Sequence, residues 1–143
     1  MKAEFAPRAG VEFGDVVQVV KPSLILEVGS WYGASIIRFL KEAGALGLPT
    51  RALCVDTWLG SPEHWMNHHP AGEWSFSALG VSEGEPRFIE EFRRNIEAFG
   101  LSRLVEIVRA PSDAALPFLA GQRIAPDLIY IDGDHSRVAV SLD

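Results

Sequence analysis

Four short apolar runs, each closed by a polar residue, govern what this chain can fold into. They are LILEV (24–28), ALCV within RALCVDTW (51–58), LVEIV within LVEIVRAPS (104–112) and LIYI within PDLIYIDGDH (126–135). Helical patterns separate them. In ASIIRFLKEAG, Ile36, Ile37 and Leu40 recur at helical spacing. In PRFIEEFRRNIEAFG (86–100), Phe88, Ile89, Phe92, Ile96 and Phe99 fall along one face, with Pro86 opening the helix and Gly100 ending it, and Phe88, Phe92, Ile96 and Phe99 are expected in the core. DAALPFLAGQRIAP reads as a shorter helical stretch interrupted by proline. Strands alternating with helices need crossover connections, so the sheet is expected to be parallel and α/β in class, with helices on both faces. In such a sheet the C-terminal ends of the strands share one rim, where ligands bind. Here that rim receives Glu27, Asp56, Ser112 with Asp113, and Asp132.

The first run continues as LILEVGSWYG. Gly29 and Gly33 bracket Ser30, Trp31 and Tyr32, and a helical pattern follows at once. This is a buried strand passing through a glycine turn into a helix. A carboxylate beside an uncovered helix N-terminus suits a polar, partly charged ligand. The dinucleotide fingerprint G-x-G-x-x-G is not matched, because Trp31 occupies its middle glycine position. The separation of Glu27 from Asp56 also exceeds the roughly 20 residues of that fingerprint. Both points disfavour a nicotinamide-dependent oxidoreductase.

The rest of the chain limits the function classes. Its 143 residues suffice for one domain with a core, taken here as 1–143. A net charge of −6 and the lack of a basic run argue against nucleic-acid binding. No stretch approaches the roughly 18 apolar residues of a membrane span, and no signal-peptide core opens the chain, so a cytoplasmic protein is expected. The single cysteine, Cys54, lies in an apolar run and reads as a buried structural thiol. Residues 1–10 form a lead-in, residues 11–23 an imperfectly amphipathic helix stopped by Pro22, and SRVAVSLD the start of a helix. Residues 59–86 carry His64, His68, His69, Trp65 and Trp74 among many turn formers. A loop of that length is usually functional. His64 and His68 would share a helical face, but Pro62, Pro70 and Gly72 favour a lid with acceptor contacts over a metal site. Trp58, Trp65 and Trp74 either line a pocket or cover the core.

With these pieces in order, the sequence resembles the class I S-adenosylmethionine-dependent methyltransferases, most closely the branch of small-molecule and sugar O-methyltransferases. ILEVGSWYG, CVDTW, FRRNIEAFGL leading into VEIVRAPS, and LIYIDGDHS carry the likeness, covering most of Leu24 to Ser136. The resemblance implies a Rossmann-like sheet in the order 3-2-1-4. It also implies S-adenosylmethionine as cofactor and a small polar acceptor. Glu27, with Gly29, Ser30 and the backbone through Gly33, would hold the methionine end. Asp56 would accept from both ribose hydroxyls, and Ser112 and Asp113 would lie near the adenine. Asp132 would face the methyl group, and in metal-dependent relatives an acid there binds a divalent ion. An oxygen ligand of this kind suits magnesium. Asp134 and His135 are the candidates for the base that activates the acceptor, with His135 nearer neutrality in ordinary pKa.

Full members have seven strands, and this chain supplies the first four. It is therefore expected to be a fragment, a truncated product, or a half completed by a homo-oligomer or second chain through the exposed edge of LIYI. The expectation for this polypeptide alone is weak cofactor binding and slow or absent turnover. A catalytically incomplete cofactor-binding subunit is the alternative function.

Overall fold

The computed structural model describes residues 12–66, 72 and 75–133. Strand β1 (Leu24–Val28) lies inside the sheet because every position after Leu24 is buried. It pairs in parallel with β2 (Arg51–Asp56) on one side and with β4 (Leu128–Ile131) on the other. Strand β3 (Val105–Arg109) adds to the far side of β2, giving the order β3-β2-β1-β4 expected from the resemblance. The register sets Glu27 beside Cys54 and Tyr130, and Asp56 beside Arg109.

Alternation along the strands divides the core into two layers. Ile25, Ala52 and Cys54 join the larger layer with helix α2 (Ala34–Ala45) and helix α4 (Phe88–Ala98). Leu26, Val28 and Val55 point the other way, onto Ala115 and Leu119 of α5 (Ser112–Gly121). Cys54 is fully buried, and burial pushes its thiol pKa well up, which makes it a packing residue.

Helix α1 (Phe13–Val20) packs on α2, with the Phe13 and Phe39 rings 4.6 Å apart. Only Val17 of α1 is buried while Val19 and Val20 are exposed, which accounts for its weak sequence pattern. At the opposite end of the sheet from the glycine turn, Asp127 Oδ2 accepts the backbone N–H groups of Ser23 and Leu24 at 2.7 and 3.0 Å, tying β4 to β1.

Residues 59–86 are more structured than a plain loop. They contain the short helix α3 (Pro62–Trp65), a 3-10 turn (Phe76–Leu79) and a bridge between Ser82 and Glu85. Pro62 opens α3, and Ser61 and His64 form its reciprocal cap. One expectation fails at α4. Phe99 is not core but 44% exposed, because it caps the helix rather than lying within it, and its ring sits 5.2 Å from Lys41 Nζ. The stretch SRVAVSLD lies outside the described residues.

Candidate functional site

The rim is built where β1 ends. The Gly29 N–H donates to the Val55 carbonyl at 2.9 Å, and the Asp132 N–H donates to the Val28 carbonyl at 2.8 Å. These bonds bring the ends of β1, β2 and β4 together. Gly29 has φ +82°, and a Cβ there would lie 2.4 Å from the Asp132 carbonyl oxygen and 2.4 Å from Gly133 Cα. Glycine is thus required by the close approach of β4 as well as by the turn. Gly33, at φ +87°, faces the Phe92 ring, 3.0 Å from where its Cβ would be, so α4 closes over the turn.

Glu27 is completely buried beneath this turn. Its Oε1 accepts the Ser35 hydroxyl at the start of α2, while Oε2 has no hydrogen-bond partner among the described residues. The Ser30 hydroxyl, also buried, lies close enough to moderate the Glu27 charge but has no hydrogen-bond partner there either. Burial pushes the Glu27 pKa up to about 7, with smaller contributions from Asp132 and Asp56. The ionised form of a buried carboxyl under a negative rim is costly unless a positive group lies beside it.

Asp56 is committed twice. Its Oδ2 accepts the Trp31 N–H at 2.9 Å and its Oδ1 the Trp58 N–H at 2.8 Å. Trp31 and Trp58 have φ of 47° and 50°, a left-handed conformation that a bulky residue keeps only when its surroundings impose it. Burial raises the Asp56 pKa, against the lowering effect of these backbone donors. The Ser30 and Thr57 N–H groups add to the same lowering effect.

A family model described as Methyltransferase domain matches residues 26–143. The chain belongs to that family. No curated protein sequence matches it. The methyltransferase domain is similar in fold to several solved structures. One is a putative O-methyltransferase from Klebsiella pneumoniae, 21% identical with a TM-score of 0.56, covering 90% of this chain and 47% of that one. Another is the O-methyltransferase from Bacillus cereus in complex with SAH, 21% identical with a TM-score of 0.55, covering 90% and 48%. A third is the O-methyltransferase TomG from Streptomyces achromogenes in complex with SAM, 18% identical with a TM-score of 0.57, covering 92% and 48%. This chain therefore spans about half the length of these relatives.

Within the methyltransferase domain the residues expected at the rim are brought to it. Ser112 is the first residue of α5 and half-buried, and Asp113 beside it is exposed. The Ala110 N–H donates to the Asp56 carbonyl at 3.1 Å, which holds the start of α5 against β2. Asp132 follows β4, half-buried, with the Tyr130 hydroxyl 3.4 Å from its Oδ2. Asp134 and His135 lie outside the described residues, as do His68, His69 and Trp74.

His64 is buried in the cap of α3 and stacked on Trp31, not presented as a free ligand. Trp58 is core, against Phe92, while Trp65 is exposed. Among the described residues no group of three or more His, Cys, Asp or Glu gathers around a metal position. No helix there is long and apolar enough to cross a membrane. Sequence reasoning missed Ser35 as the partner of Glu27, and the tryptophan N–H groups as partners of Asp56. Serine at the opening of a helix carries no mark of a contact back to the preceding strand, and backbone donors leave no sequence trace.

Proposed function

We propose that this domain binds S-adenosylmethionine and directs its methyl group to an oxygen of a small polar acceptor. The observation that carries the reading is the buried Glu27 carboxyl, whose Oε2 has no partner among the described residues, with the Ser30 hydroxyl likewise unpartnered among them. Unpartnered buried polar atoms are uncommon in native folds and mark a place completed by something else. An ammonium group fits, because it donates to both oxygens and cancels the charge that burial disfavours.

In this reading Glu27, Ser30 and the backbone from Gly29 to Gly33 hold the methionine end. Asp56 takes the ribose hydroxyls, Ser112 and Asp113 flank the adenine, and Asp132 faces the methyl group. When bound, the cofactor supplies an electrophilic methyl carbon on a sulfonium. The chain's own task is to align the acceptor oxygen with it and remove the hydroxyl proton. Asp134 and His135 are the residues proposed for that proton. Asp132 is the place proposed for a magnesium ion if the reaction uses one; no step above depends on it. The acceptor is chosen in part by the 59–86 segment.

Calorimetric titration with S-adenosylmethionine, S-adenosylhomocysteine and NAD tests the reading, with and without magnesium. Both methionine-bearing ligands should bind and NAD should not. Glu27→Gln should weaken both by about tenfold or more, the value of a hydrogen bond to a charged group. Failure of both to bind the wild type would overturn the proposal. Binding without methyl transfer to hydroxylated acceptors would favour a cofactor-binding partner subunit.

A further inference from the structure

The aromatic residues between Gly29 and Gly33 reach away from Glu27 and hold the segment that follows β2. Trp31 lays its ring on the His64 imidazole, with centroids 4.7 Å apart and planes at 28°. Its carbonyl accepts the Trp58 indole N–H at 2.9 Å. Tyr32 donates its hydroxyl to the Ala78 carbonyl at 2.8 Å, and its own carbonyl accepts from Asn95 Nδ2 at 3.0 Å. His64 is seated in turn, since its Nδ1 accepts the Ser61 N–H at 3.1 Å. Two neighbouring residues of the glycine turn therefore grip the segment at α3 and again at the 3-10 turn. Their backbone side is tied to the rim, because the Trp31 N–H and the Trp58 N–H share the Asp56 carboxylate.

We propose that Trp31 and Tyr32 are positioning residues that couple the donor site to residues 59–66 and 75–80, so that filling one favours seating the other. This rests on the donor-site reading above. The left-handed conformations of Trp31 and Trp58 persist only while Asp56 and the surrounding rings enforce them. A ligand on Glu27 or Asp56 steadies Ser30 to Tyr32, and the two rings pass that constraint to His64 and Ala78. By linkage, a seated segment raises donor affinity by the same factor.

Hydrogen exchange of the full chain, with and without S-adenosylhomocysteine, tests this in the wild type and in Tyr32→Phe, which removes one hydroxyl. In the wild type the ligand should slow exchange at 29–33 and also at 59–66 and 75–80. In Tyr32→Phe the slowing at 29–33 should remain, the increment at 75–80 should vanish, and Kd should rise about fivefold or more. Two results overturn the coupling. One is wild-type protection confined to 29–33. The other is a Tyr32→Phe protein that exchanges faster at 75–80 equally with and without ligand, at unchanged Kd. Absence of protection at 29–33 itself would overturn the donor-site reading, and this inference with it.

Discussion

A carboxyl group sealed under the end of β1 carries opposite consequences for stability and for binding. The Glu27 pKa stands at about 7 in the folded chain, against 4.5 when unperturbed. The folded state therefore binds the proton more tightly than the unfolded state. Its contribution to stability is fully present below about pH 4.5 and is lost as pH rises through about 7. Glu27→Gln should accordingly stabilise the ligand-free protein at pH 8, by up to about 3 kcal/mol, and change little at pH 4.5. Thermal melts across that range check the sign. Donor affinity should move the other way in the wild type, falling up to about tenfold per pH unit below 7, because an ammonium ligand must displace the proton. Titrations at pH 6 and pH 8 measure it. Gly29 offers a separate test at this scale. A Cβ there would meet backbone of the β4 end at 2.4 Å, which no side-chain rotation relieves. Gly29→Ala should cost about 3 kcal/mol or more by denaturant unfolding.

Helix α4 packs over the glycine turn. Phe88, Ile89, Phe92 and Ile96 are buried, each contributing roughly 1.5–3 kcal/mol by burial. Phe92 is the central one, packed on Trp58 with centroids 5.0 Å apart and filling the space where a Gly33 side chain would begin. Phe92→Ala should destabilise by about 3–5 kcal/mol in equilibrium unfolding. It should also weaken donor binding, since the turn loses its cover. The element was legible because its apolar period is regular and its limits are marked by Pro86 and Gly100. The 59–86 stretch was less so. The Ser61–Pro62–Glu63–His64 sequence contains a helix-start signal, yet histidine in place of Glu or Gln at the reciprocal position hides the capping box. Phe99 misled for a simpler reason. Helical periodicity continues on paper past the point where the backbone stops following it.

At the scale of the whole chain, the sheet gathers acids from separate strands onto one rim, and Asp132 and Asp56 both raise the Glu27 pKa. Among the described residues, one face of β4 is partly exposed. Leu128 and Tyr130 pack into the larger core layer, while Ile129 and Ile131 are 55% and 46% exposed. Adjacent exposed isoleucines on an edge strand favour association. The double variant Ile129→Thr, Ile131→Thr should shift sedimentation velocity profiles toward monomer at high concentration. Unchanged profiles would mean that this face does not drive association.

Sequence alone determined the strand runs, their parallel pairing, the 3-2-1-4 order implied by the family likeness, and which polar residues end each strand. The order rests on the likeness alone; the other features follow from local periodicity and from the geometry that crossovers impose. Only the tertiary structure decided that Glu27 is sealed with one oxygen spare, that Asp56 already holds two tryptophan N–H groups, and that Gly29 is reserved for the approach of β4. Each depends on contacts between residues far apart in the chain, and on backbone donors common to nearly every residue, so no local pattern encodes them.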